Sequence, residues 1–417
     1  MPVVVQKYGG TSVADATRIG NVARRIVATY EQGNSVCAVV SARGDTTDEL
    51  VALAHEITPR PPEREMDMLL SAGERISCAL LAMAIDRMGR EAVSLTGSQA
   101  GIVTDGVHTR ARILGITPGR VQAAMAKGCI VLVAGFQGVS TEKDVTTLGR
   151  GGSDTTAVAL AHALRADVCE IYTDVEGVYT ANPSLVAKAR KIQRISYDEM
   201  LEMAAAGAQV LAVRAVEYAR KYDIPIHVRS SFSGHEGTWV REEDPTMESP
   251  IIRSVTYTTD EARVTVRGVP DQPGVAAEVF GALAEAHVNV DMIIQNSSES
   301  GHTDISCTIP REDGAIADLA LRAVVAKLGA KGFSTDNSIA KISVIGIGMR
   351  SNPGVAAMMF KTLADLGINL DMISTSPIKI SAVIAKSRVD EAVRVLHDVF
   401  ELDASCIHHV QADGDSF

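Results

Sequence analysis

The chain has 417 residues, of which 46% are hydrophobic and 22% charged, and its formal net charge is -11. That length admits roughly two to four domains, and the composition provides for a full buried core, so the chain need not be disordered. The acidic balance argues against a nucleic-acid partner, which needs a basic surface, but a local cluster of Lys and Arg can still hold a small anion.

The opening MPVVVQKYGG has neither a basic segment nor a long apolar stretch, so it reads as a buried strand and turn, not a signal peptide. No apolar run approaches the roughly 18 residues of a membrane span, which makes the cytosol the expected compartment. Short β-branched runs at Val3–Gln6, Val36–Val40, Ala92–Leu95, Ile130–Ala134, Val168–Thr173 and Ile226–Arg229 predict strands covered on both faces. Helical patterns separate them, at Val13–Glu31, Glu63–Met88, Arg120–Lys127, Thr155–Arg165 and Tyr197–Ala206. This alternation predicts an α/β domain on an open, mostly parallel sheet with helices on both faces, over residues 1–245. The polar, proline-bearing stretch Thr238–Pro250 reads as a linker, and Met247 within it stands where an internal start would release the C-terminal part.

Beyond the linker the chain repeats itself. Residues 268–293 laid on 348–373 give 13 identities in 26 positions, with Pro273-Gly274-Val275-Ala276-Ala277 on Pro353-Gly354-Val355-Ala356-Ala357. Duplication predicts two small α+β modules, 251–331 and 332–417. The six cysteines (Cys37, Cys78, Cys129, Cys169, Cys307 and Cys406) are never closer than 40 positions, so they suggest reduced thiols and no disulfide framework. The histidines, including the adjacent His408 and His409, show no zinc-site spacing.

Three glycine-rich turns follow strands. In Lys7-Tyr8-Gly9-Gly10-Thr11-Ser12 the glycines permit close approach to a phosphate and Lys7 supplies charge, while Ser12 has the alternative role of a plain helix cap. In Gly149-Arg150-Gly151-Gly152-Ser153-Asp154 an arginine among three glycines makes a nest of N–H donors beside a fixed cation. Ser41-Ala42-Arg43-Gly44-Asp45-Thr46-Thr47 suits a substrate contact but is ordinary by itself. None fits the P-loop pattern. Glu74, mid-helix beside Gly73, is either a solvated acid or a clasp for an ammonium group, and the loop Tyr172–Pro183 suits a purine.

Taken together, KYGGTS, SAGERIS, AGFQG, TTLGRGGSDTTA, YTDVEGVYTANP and the doubled PGVAA modules resemble the aspartate kinases, most closely the actinobacterial type, over nearly the whole chain. The resemblance implies the amino-acid-kinase fold followed by tandem ACT modules, and transfer of the γ-phosphoryl group of ATP to L-aspartate with Mg²⁺, the first step towards lysine, threonine and methionine. It implies that Lys7 and Asp154 form the catalytic centre. Lys7, Gly9, Gly10, Ser12, Ser41, Thr173, Asp174, Tyr179 and Thr180 would approach the nucleotide, with Ser41 also bordering the aspartate pocket. Thr47, Glu74, Arg150, Gly151, Gly152 and Ser153 would line that pocket.

Asp271, Gly274, Val275, Ala276, Asn289, Asp291 and Gln295 offer N–H donors and acids for an amino-acid effector at the first repeat. The resemblance adds Val355, Asn369 and Ser376 where the modules meet. Threonine is the expected effector and lysine alone a weak one, because Pro377 removes an N–H from the second module. A homo-oligomer, or association with the chain's own C-terminal fragment, is expected. A kinase of another amino acid and a non-catalytic amino-acid sensor are the rival readings. The family's usual Asp-Pro-Arg is Asn182-Pro183-Ser184 here, and Arg43 replaces its usual Met.

Overall fold

The computed structural model describes residues 1–242, 252–296, 301–352 and 354–404. Met247, Pro353, Cys406, His408 and His409 lie outside these residues. The chain divides into two compact units, the first made of Met1–Tyr179, Lys191–Ala205 and the described part of 209–247.

The first unit opens with β1 (Val3–Tyr8), α1 (Ala16–Glu31), β2 (Ser35–Val40), α2 (Thr46–Ile57), α3 (Glu63–Asp86), β3 (Ala92–Leu95), β4 (Ile102–Thr104) and β5 (Ile113–Ile116). It continues with α4 (Gly119–Ala126), β6 (Ile130–Ala134), β7 (Gln137–Ser140), β8 (Val145–Thr147), α5 (Gly152–Leu164) and β9 (Val168–Thr173). β10 (Arg194–Ile195), α6 (Tyr197–Ala205), α7 (Val213–Tyr222), β11 (Ile226–Ser230) and β12 (Thr238–Val240) complete it. The main sheet runs β10-β12-β11-β9-β1-β2-β6-β3, and the six strands from β11 to β3 are parallel.

Parallel strands with both faces covered demand continuous apolar runs, and β6 is buried at every residue. On one face Ile19, Val22, Ala23 and Ile26 of α1 pack with Cys78, Leu81 and Ile85 of α3 against Tyr8, Val36, Val40 and Leu132. Asp15, not Ser12, caps α1 by accepting the Arg18 N–H at 2.9 Å, and a 3-10 turn, Gly10–Val13, precedes it. The helix therefore starts three residues later than its apolar pattern suggests.

The helices α2 and α7 and a small sheet escape the periodic reading. α2 carries apolar residues at helical spacing, Leu50, Leu53, Ala54 and Ile57, yet buries none of its residues. The short strands β5-β4-β7-β8 form a mixed sheet of their own. By length and composition α3 is apolar enough to cross a membrane. Its buried residues nevertheless include Asp67, Ser71, Glu74 and Ser77, a polar stripe at helical spacing turned into the protein.

The second unit contains Thr180–Arg190, Ala206–Ala208 and the described chain from residue 252 onward. Its elements are β13 (Ser254–Thr258), β14 (Glu261–Pro270), α8 (Val275–Glu285), β15 (Ile293–Gln295), β16 (His302–Pro310), α9 (Gly314–Leu328) and β17 (Gly332–Asp336). β18 (Ile339–Ile345), α10 (Gly354–Asp365), β19 (Met372–Ser376), β20 (Lys379–Ala385) and α11 (Val389–Val399) follow. Two antiparallel sheets result, β15-β16-β14-β17 and β13-β18-β20-β19.

The division into 251–331 and 332–417 is corrected by these sheets. β17 pairs with β14 of the first module, and β13, which precedes that module in the chain, pairs with β18 of the second. Each first strand takes a fourth strand along its free edge, and a sequence repeat does not say which chain segment supplies it. The catalytic stretch 1–245 is also interrupted, because Ala181 and Val186 belong to the core of the second module, among Val255, Ile342, Met359 and Leu396.

The modules are also cross-linked by charge. Lys341, 1% exposed on β18, pairs with Glu261 and Asp291, while Arg263 on β14 holds Asp371 at 2.7 Å and Asp336 at 3.1 Å. Asp291 and Asp371 occupy equivalent repeat positions, so each module lends its Asp to a cation on the other module's first strand. Pro377 lies in the turn between β19 and β20, where Ser376 faces Lys379 and no ladder hydrogen bond is lost.

Candidate active site

Parallel register sets the site. Tyr8 stands opposite Val40 and Tyr172, and Val40 opposite Ala134, so the loops after β1, β2, β6 and β9 leave one edge of the sheet together. This is the carboxyl edge where open α/β sheets bind ligands. Beneath it the rings of Tyr8 and Tyr172 stack with centroids 4.8 Å apart, and Gly9 donates its N–H to Tyr172 O at 3.3 Å.

Gly10 is required by close approach: a Cβ there would stand 2.7 Å from Ala42 O. The turn after β1 is thereby pressed against the turn after β2, and Gly44 donates to Gly10 O at 3.0 Å. Ser41 N–H donates to Tyr8 O at 3.0 Å, Thr47 lies half-buried in the first turn of α2, and Arg43 reaches Ala14 O at 2.8 Å.

The arginine turn is built at the start of α5. Gly151 caps that helix at φ 71, in the left-handed region, and a Cβ there would meet Ala212 Cβ at 2.4 Å. Arg150 is exposed, whereas Gly152, Ser153 and Asp154 are buried in the helix's first turn. A Cβ at Gly135, just past β6, would lie 2.7 Å from Ser153 Oγ, so that glycine makes room for the serine.

Lys7 and Asp154 join the first turn to the second. Lys7 Nζ lies 2.7 Å from Asp154 Oδ1, with the two side chains 13% and 10% exposed. Asp154 Oδ2 also accepts the Ala212 N–H at 3.3 Å. A half-buried cation beside a helix N-terminus, held in place by Asp154, is suited to meet phosphate oxygens.

Glu74 is its counterpart. It is 4% exposed, and its Oε1 accepts the Ala42 N–H at 3.2 Å while its Oε2 is buried with no hydrogen-bond partner among the described residues. Burial pushes its carboxyl up to about 7, against the lowering effect of backbone N–H groups and Arg75. An unsatisfied buried carboxylate oxygen marks a place where a cation belongs.

Thr173 and Tyr179 are half-buried and Asp174 is exposed, with the Thr173 hydroxyl donating to Asp174 Oδ1 at 3.1 Å. Ser12 is buried with its Oγ 2.6 Å from Ser231 Oγ, a partner that no local motif announces. Thr180 is 2% exposed, and its Oγ1 lies 3.0 Å from Nε2 of His397 and accepts the Arg190 N–H at 2.9 Å.

Among the effector candidates, Asp291 is engaged by Lys341, and Val275 and Val355 bury their side chains in the module cores. For the two valines only the main chain can therefore face an effector, whereas the Asp291 side chain is 47% exposed beside Lys341. Asp271, Gly274, Asn289, Gln295 and Asn369 are exposed, and Ala276 and Ser376 are half-buried.

Residues 2–230 match the amino acid kinase family, and 264–326 and 342–400 match the ACT domain. An aspartokinase of Mycolicibacterium smegmatis is 58% identical over 407 residues, covering 96% of this chain and 97% of that protein. E. coli aspartokinase III in complex with aspartate and ADP (R-state) has a TM-score of 0.83 at 26% identity, covering 95% of this chain and 99% of that one. The same enzyme in complex with lysine and aspartate (T-state) has a TM-score of 0.70, again at 26% identity and with the same coverage. With these likenesses running through both the kinase unit and the paired ACT modules, the chain belongs to the aspartokinase family.

Proposed function

We propose that Lys7, Glu74, Arg150 and Asp154 share the work of an aspartokinase, which transfers the γ-phosphoryl group of ATP to the β-carboxylate of L-aspartate to give 4-phospho-L-aspartate. The attacking carboxylate oxygen is already anionic, so no general base is needed, and catalysis reduces to positioning and neutralisation of charge. The observation that carries this reading is the largely covered Lys7–Asp154 pair between the two glycine turns. Asp154 holds the Lys7 ammonium at the strand end, where it meets negative charge developing on the phosphoryl oxygens. Arg150 grips the substrate α-carboxylate through its planar fork, and Glu74 takes the α-ammonium on its unsatisfied oxygen. The β-carboxylate is then left facing the nucleotide.

Mg²⁺ belongs to this reading as a companion of the nucleotide. Among the described residues no group of three or more His, Cys, Asp or Glu is arranged to hold a metal ion. Mg²⁺ suits such a site because it keeps several waters and binds through phosphate oxygens with few protein ligands. When bound it would screen the phosphate charge. The cytosol is the compartment we assign. ATP consumption measured with and without L-aspartate tests the reaction: turnover dependent on L-aspartate is expected, and turnover with another amino acid alone would overturn it.

The pH profile follows from Glu74. In the empty site its carboxyl is protonated below about 7, and it must be ionised to hold an ammonium group. Aspartate affinity is therefore complete above that pH and lost as pH falls through it, by about tenfold per unit in kcat/KM. Glu74→Gln should abolish this limb and bind aspartate weakly at every pH. A native profile flat from pH 5 to 8 would remove Glu74 from the ammonium contact.

For regulation, we read threonine as the effector, bound at the first repeat beside Asp271 and Gly274, which opens α8 at φ 98, with Asn289 and Gln295 nearby in sequence. Lysine, bound in the T-state structure of the E. coli enzyme, is the weaker effector alone. Calorimetry should show threonine affinity falling in Asp271→Ala, and unchanged affinity would remove Asp271 from the site.

A further inference from the structure

Asp67 lies two turns before Glu74 on the buried stripe of α3 and is fully buried, yet the reaction as proposed does not use it. Its carboxylate is saturated by one short stretch of loop and one strand end. Oδ1 accepts the Thr109 N–H at 3.0 Å and the Thr147 hydroxyl at 2.5 Å. Oδ2 accepts the same N–H at 3.2 Å and lies 2.6 Å from Nδ1 of His108.

Those partners back the arginine turn. Thr147 ends β8, two residues before Gly149, and its carbonyl accepts the Ala111 N–H at 2.9 Å. Gly149 turns at φ 76, and a Cβ there would stand 3.1 Å from Thr109 O, so the turn is folded against loop 108–111 as against a wall. Arg214 clamps the same two segments, donating to Leu148 O at 3.2 Å and Ala111 O at 3.0 Å. One buried carboxylate thus ties the helix that carries Glu74 to the strand end from which Arg150 begins.

We propose that Asp67 is a positioning residue that sets the separation between Glu74 and Arg150, and with it the enzyme's selectivity for a substrate carrying both an α-ammonium and an α-carboxylate. The two groups of an α-amino acid hang from one carbon, so the side chains that grip them must keep a constant spacing, within about 0.5 Å in a well-built site. Asp67 supplies that constancy through four short contacts to groups that are themselves locked. The inference rests on the roles given above to Glu74 and Arg150.

Asp67→Asn keeps the size of the side chain but leaves one acceptor oxygen where two served, and turns an amide donor towards other donors. The expected result is a KM for L-aspartate raised roughly tenfold to a hundredfold, with the KM for ATP near its native value and kcat less affected. Inhibition by succinate, which lacks the ammonium group, should change little, so discrimination between L-aspartate and succinate narrows. A purely structural role would lower thermal stability and shift both KM values together. Thr147→Val, which removes a single hydrogen bond, should give the same pattern more weakly and carries the test if Asp67→Asn does not fold. An unchanged KM for aspartate in the folded variants, or equal rises for aspartate and ATP, overturns the proposal. Glu74→Gln and Arg150→Ala measured alongside separate the two levels. If these leave the aspartate KM unchanged, the underlying roles fail; if they raise it and the Asp67 and Thr147 variants do not, only the inference about Asp67 fails.

Discussion

Replacing Lys7 by Ala should lower kcat by about 10²–10³-fold, the loss typical of removing one preorganised charge from a phosphoryl or acyl transition state. The ammonium group sits at the end of β1, 2.7 Å from Asp154 and next to the first turn of α5, where charge develops as the phosphoryl group moves. The KM for ATP should rise less than kcat falls, because a group tuned to the transition state contributes less to ground-state binding. Stability must be measured with activity, since removing one partner strands the Asp154 carboxylate in a buried place, at a cost of about 3–5 kcal/mol. The double variant Lys7→Met with Asp154→Asn removes both charges and should regain much of that stability without regaining activity. A Lys7→Ala enzyme within about tenfold of the native kcat would take Lys7 out of the chemistry.

Arg150→Ala should act on the other substrate. Loss of a bidentate, charge-assisted contact to the α-carboxylate removes about 2–3 kcal/mol, or about 30- to 150-fold in the KM for aspartate. The KM for ATP should stay close to native, because the exposed Arg150 precedes the Gly151 cap of α5 and is no part of the Lys7–Asp154 pair. Arg150→Lys should recover only part of the loss, since a point charge lacks the planar fork. A normal aspartate KM in Arg150→Ala would sink the assignment, and an equal rise for both substrates would point to collapse of the glycine turn instead.

Much of this molecule is local information. Ile130–Ala134 and Val168–Thr173 are strands because continuous apolar β-branched runs suit a sheet covered on both faces, and both form over the expected residues. The duplication, the glycine turns and the acid at Glu74 are likewise legible, because side-chain chemistry and spacing act over a few residues. The tertiary structure decided the partners. It joined Lys7 to Asp154 across 147 positions and gave the Ser12 hydroxyl to Ser231. It turned Thr180 to His397 and Asp291 to Lys341. It also sent β13 to the second module and kept β17 with the first. These choices depend on strand register and on which buried polar group meets which other, and each is settled only when distant segments lose water together and must satisfy one another.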